Sequence, residues 1–133
     1  MALEPGDAEA LADLADICRA EGDCERALAL YRRAARAEPG AGRHSAGIIE
    51  CLMDLGRERE ALKEARHYAL GHPKSAGAHF RLGQVLRRQD RLVEAIDHLE
   101  QAVSLDPGSR TYRQELKSAA QMMETLRRTR TSP

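Results

Sequence analysis

Apolar and small residues recur along this chain with helical spacing, and the same arrangement returns every 34 residues. Leu14, Ile48 and Leu82 are one such series, Cys18, Leu52 and Leu86 a second, and Ala27, Ala61 and Ala95 a third. Pro39, Pro73 and Pro107 keep the same interval. A proline cannot continue a helix and drives the residue before it out of helical geometry, so each marks a helix end. Gly22-Asp23, Gly56-Arg57 and Gln89-Asp90 break the pattern midway through each repeat, as a turn between two helices requires. The pattern predicts helices over residues 8–21, 24–37, 43–55, 58–70, 76–89 and 92–105. A seventh, over 110–128, has Leu116, Ala119, Ala120, Met123 and Leu126 at helical spacing. Ala27, Ala61 and Ala95 are expected where the two helices of a repeat lie closest, since a side chain larger than methyl would push them apart.

These residues resemble the tetratricopeptide repeat family, whose 34-residue unit is a helix–turn–helix ending near a proline. The resemblance covers roughly residues 8–109. It is best kept in the first unit (Leu11, Leu14, Ala15, Cys18, Gly22, Ala27, Tyr31, Ala34, Pro39) and the third (Leu82, Gly83, Leu86, Leu92, Ala95, Leu99, Ala102, Pro107). The second departs from it: Ile48-Ile49 replaces Leu-Gly, and Ala65 and Tyr68 exchange the expected large and small residues, a volume swap that a core tolerates when total volume is kept. The resemblance implies an all-α, right-handed superhelical solenoid. Its parts are a lead-in over 1–7, units over 8–41, 42–75 and 76–109, a capping helix over 110–128 and a tail over 129–133. A terminal helix with a polar outer side covers the apolar face that a stack of repeats leaves open.

Composition agrees with closely packed helices. Aromatic residues make up 3% of the chain and tryptophan is absent, so core volume comes from Ala and Leu. Basic and acidic residues balance at 21 each, which gives no bulk charge for nucleic acid or a membrane surface. No apolar run approaches the ~18 residues of a membrane span, and the first residues lack the pattern of a secretory signal. Cys18, Cys24 and Cys51 are odd in number and without metal-type spacing, which fits a cytoplasmic location.

Charge is unevenly distributed. Residues 1–41 hold nine acidic and five basic groups, whereas 110–133 hold two and six. In the family, the first helix of each unit lines a concave groove. By that resemblance the ligand-facing residues are Glu9, Asp13 and Asp16 in the first unit, Arg43, Glu50 and Asp54 in the second, and Arg81, Gln84, Arg87 and Arg88 in the third. The groove is then expected to be acidic toward its start and basic toward its end. Members that clamp the carboxylates of chaperone tails use Lys and Asn in the first unit. Ala12 and Asp16 stand there in this chain, and Glu50 stands where a second Asn is expected, so such acidic tails are not expected ligands.

Catalytic patterns are missing. There is no GxSxG, no phosphate-binding Gly-rich loop and no HExxH, and His44, His67, His72, His79 and His98 are scattered without i,i+4 pairing. A metal site needs three or four converging ligands, so no metal or cofactor is expected. The expected function is a non-catalytic scaffold or adaptor that binds a protein or peptide, with no nucleic-acid or membrane partner. Two alternatives stand beside it: a self-assembling, homo-oligomeric structural protein, and an accessory subunit of an enzyme or secretion machine.

Overall fold

A computed structural model describes residues 5–131. It contains seven helices and no strand among those residues: α1 (Pro5–Ala20), α2 (Cys24–Ala37), α3 (Gly42–Asp54), α4 (Glu58–Gly71), α5 (Ala76–Arg88), α6 (Leu92–Leu105) and α7 (Arg110–Thr131). Helix α1 starts before the predicted residue 8 and α7 runs past 128, so residues 129–131 are helix rather than tail. The remaining lead-in and tail residues, 1–4 and 132–133, lie outside the described part.

Local chemistry fixes the helix ends. The Asp23 side chain accepts the Arg26 N–H to cap α2, and Ser75 accepts the Ala78 N–H to cap α5. Ser109 Oγ accepts the Tyr112 N–H at the start of α7. The turn inside each hairpin needs one left-handed residue, supplied by Gly22 (φ 86°), Gly56 (φ 73°) and Asp90 (φ 61°), again 34 apart. Glycine adopts this conformation freely; aspartate does so at a cost. Pro39, Pro73 and Pro107 each sit in the turn after a second helix.

The helices form two compact units, residues 1–71 and 72–133. In the first, α1 packs on α2, α2 on α3 and α3 on α4. Its core contains Ala8, Ala12, Ala15 and Cys18 of α1, Ala27 and Tyr31 of α2, Ile49 and Leu52 of α3, and Ala61 and Ala65 of α4, all buried. Tyr31 lies so close to α3 that a Cβ on Gly47 would fall 2.6 Å from its ring. In the second unit α6 packs on both α5 and α7. Phe80, Leu99, Ala102 and Ala119 form its core with Tyr112 and Leu116 against them, and the Phe80 and Tyr112 ring centroids are 4.7 Å apart.

Ala27, Ala61 and Ala95 are each fully buried. Gly83 shows how close α5 and α6 come: a Cβ there would lie 2.7 Å from Leu99 Cγ and 3.3 Å from the Ala95 carbonyl oxygen. One period earlier the large and small residues are reversed, Ile49 on α3 and Ala65 on α4, both fully buried. The volume exchange in the second repeat is thus between Ile49 and Ala65, across the hairpin, while Tyr68 takes space left by Gly42.

Two expectations are corrected. Leu14 is 40% exposed, unlike its repeat counterparts Ile48 and Leu82 at 5% and 2%, because α1 packs only on α2 and α3 and no described helix covers its remaining face. On α7 the residue fully buried is Ala119; Ala120 is exposed and Leu126 is half exposed, since the buried stripe runs through Tyr112, Leu116 and Ala119.

Candidate functional site

On α1, Glu9, Asp13 and Asp16 follow one another at i, i+4 and i+7 and share a face. One period later that face of α3 carries Arg43, Gly47, Glu50 and Asp54. The two helices exchange charges reciprocally. Arg43 of α3 pairs with Glu9 and reaches Asp13 at 2.7 Å and Asp16 at 2.8 Å. Arg19 of α1 pairs with Glu50 and reaches Asp54 at 3.0 Å. Five carboxylates therefore share two guanidiniums, and negative charge remains in excess. Between them is a cleft of about 320 Å³ lined by Asp16, Arg19, Ala20 and Asp54.

The network shifts its members' titration. Burial pushes the Asp16 carboxyl up, but the Tyr31 hydroxyl that donates to it and the Arg43 guanidinium hold it below the usual carboxylate range. Tyr31 is raised well above an ordinary phenol, by burial first and by that same bond to Asp16 second. Hydrogen bonds to Asp13 and Asp16 raise Arg43. Beside the cleft, Cys24 Sγ lies 3.9 Å from Asp54 Oδ2. Burial pushes the Cys51 thiol up to about 11, which keeps it protonated and unreactive at neutral pH. All three cysteines are free.

The basic residues of α5 do different things. Arg81 stacks its guanidinium 5.5 Å from the Phe80 ring centroid and donates to Gln84 Oε1 at 3.3 Å. Arg88 is exposed and makes no ion pair among the described residues. Arg87, expected to face a ligand, is instead held by α7: it donates to Glu115 Oε1 at 2.7 Å and approaches Met122 Sδ at 3.8 Å. Arg19, which sequence reasoning passed over, stands two periods before Arg87, and each reaches a helix beyond its own hairpin, Arg19 to α3 and Arg87 to α7. That spacing was a readable signal.

The histidines also pair in a way their spacing conceals. Buried His79 donates Nε2–H to the Pro73 carbonyl at 2.7 Å, and its Nδ1 meets His98 Nδ1 at 3.1 Å with the rings stacked. With His79 in that tautomer, His98 supplies the proton between them. His44 is fully buried, its Nε2 3.2 Å from Glu38 Oε1. Among the described residues no three His, Cys, Asp or Glu are grouped to hold a metal ion, and no helix is long and apolar enough to cross a membrane.

Comparison with known proteins fits this geometry. No curated protein matches the chain significantly. Several solved structures share its fold. The Sgt2 TPR domain from Aspergillus fumigatus has a TM-score of 0.87 at 18% identity, over 96% of this chain and 85% of that one. The first TPR domain of human RPAP3 gives 0.83 at 18%, over 91% and 95%. The first TPR of Spaghetti (RPAP3), bound to the HSP90 peptide SRMEEVD, gives 0.80 at 17%, over 93% and 98%. Two tetratricopeptide repeat profiles match, one at residues 10–43 and the other at 52–110, together most of the chain. With seven helices set in the same hairpin arrangement, this chain belongs to the tetratricopeptide repeat family.

Proposed function

We propose that the chain is a non-catalytic protein-binding module whose first-helix faces hold a segment of a partner protein, and that the α1–α3 face takes a basic stretch of it. The observation behind this reading is the excess of carboxylates around the cleft: Glu9, Asp13, Asp16, Glu50 and Asp54 against Arg19 and Arg43. A guanidinium or ammonium entering there meets acceptors already oriented by the resident arginines. The peptide bound to the Spaghetti (RPAP3) domain, SRMEEVD, is acidic; a tail of that kind is repelled by this face. Arg81 and Arg88 on α5 offer cations to acidic or carbonyl groups. Charge of this sort contributes direction and specificity more than affinity.

The test uses two labelled peptides of equal length, one rich in Arg and Lys and one acidic, titrated by fluorescence anisotropy. The basic peptide should bind and weaken with salt, the acidic one should not, and Glu50→Lys with Asp54→Lys should abolish binding. Reversing the exposed Arg32 and Arg36 of α2 to Glu should leave it unchanged. Equal binding of both peptides, or no effect of the α3 reversals, would refute the assignment.

A further inference from the structure

The side of α1 that stays exposed among the described residues corresponds to a face that is buried in the later repeats. Asp7, Ala10, Leu14, Ile17 and Glu21 alternate by three and four residues, so they form one stripe, apolar in the middle and acidic at both ends. Leu14 is 40% and Ile17 55% exposed. One period on, the equivalents of these two are Ile48 and Cys51, at 5% and 0%; two periods on they are Leu82 and Val85, at 2% each. In the first unit α2 packs against α3. The same face of α1 stays partly open, with α2 and α3 the helices that pack on α1 among the described residues.

A helix of matching chemistry is present at the other end of the sequence. In each hairpin the chain turns at Gly22, Gly56 or Asp90, but one period later, at Glu124, α7 continues straight to Thr131. Residues 124–130 are all exposed. Leu126, 50% exposed, stands among Arg127, Arg128 and Arg130. The first helix thus offers an apolar stripe with acidic ends, and the last offers an apolar residue with a basic surround.

We propose that a second copy of this chain docks the final turns of its α7 on the α1 stripe, with Leu126 against Leu14 and Ile17 and its arginines toward Asp7 and Glu21. The contact joins two different surfaces, so it is heterologous and propagates into open chains rather than closing as a dimer. The apolar area is small, so the contact is weak and reversible, and its charged rim makes it salt-sensitive. It is distinct from the basic-peptide face, which uses Glu9, Asp13 and Asp16 of α1 rather than Asp7 and Glu21.

Light scattering and sedimentation velocity over a concentration series test this. The wild-type mass should rise beyond that of two 14.7 kDa chains as concentration increases, and fall back in high salt. Ile17→Gln and Leu126→Gln are exposed, uncharged, helix-compatible changes; circular dichroism checks that both variants fold. Each alone should weaken association about tenfold or more. An equimolar mixture should restore one contact and stop at a heterodimer, because each variant keeps the surface that the other lacks. A wild type that stays monomeric throughout overturns the proposal. So does Leu126→Gln assembling like wild type, or a mixture no more associated than its components.

Discussion

Replacing Gly83 by Ala is the sharpest probe of the α5–α6 contact. On helix propensity alone the change should stabilise α5 by about 1 kcal/mol. Against this, the new Cβ would fall 2.7 Å from Leu99 Cγ and 2.8 Å from Leu99 Cδ2, and Leu99 is fully buried with no room to withdraw. Overpacking of this kind costs about 1–3 kcal/mol, so the net expectation is destabilisation by ~1 kcal/mol. Leu99→Ala alone should cost about 2–5 kcal/mol by leaving a cavity. In that background Gly83→Ala fills part of the vacated space and keeps its propensity gain, so it should stabilise. The sign should therefore reverse between backgrounds, a coupling of about 2 kcal/mol or more that a double-mutant cycle resolves. Urea titration followed by circular dichroism is the assay. A Gly83→Ala variant more stable than wild type, or an equal effect in both backgrounds, would refute the close-approach reasoning.

Asp90→Gly should raise stability by about 1 kcal/mol, because it relieves a left-handed aspartate at a position where the other hairpins have glycine; an unchanged denaturant midpoint would count against it. Arg87→Ala leaves Glu115 partnerless with its side chain 18% exposed, and should cost about 1–3 kcal/mol in urea titration. Glu115→Gln in that background should recover part of the loss. The folded-state pKa of Asp16 is lowered, so the native chain binds fewer protons than the unfolded one as pH drops. Its contribution is present above the unfolded value of about 4 and is lost as pH falls further. Stability measured against pH should therefore decline less steeply on the acid side in Asp16→Asn than in wild type.

The fold was legible because the features that specify it repeat. Prolines, turn residues and buried alanines recur at one interval, and six of the seven helices start within a residue of the positions that interval predicts; α1 starts at Pro5, ahead of residue 8 where the first unit was expected to begin. The same logic misled at Leu14: a repeat position carries its residue type forward but not its neighbours, and no described helix packs on α1 as α2 packs on α3. Side-chain partners were harder to read. Periodicity places Arg81, Arg87 and Arg88 on one helix, but a turn of 100° per residue separates Arg87, bound to Glu115, from Arg88, which is exposed. Glu9, Asp13 and Asp16 were legible as a face, yet their common partner Arg43 lies a full repeat away. The His79–His98 contact joins two helices whose relative rotation no spacing within either one encodes.

Arg19 and Arg87 occupy equivalent positions, and Met53 stands between them in the series. Each arginine needs carboxylates on the helix it reaches: Glu50 and Asp54 for the first, Glu115 for the second. The repeats are therefore not interchangeable modules. In a chain with residues 42–75 and 76–109 transposed, Arg19 would face Gln84 and Arg88, one neutral and one of its own sign. Met53 would meet Glu115 and leave a half-buried carboxylate unpaired. The Tyr31 ring, which fits against Gly47, would meet Arg81 in its place, so shape and charge together would identify the order as wrong. Ion pairs and close contacts alike act as an address that fixes which repeat follows which.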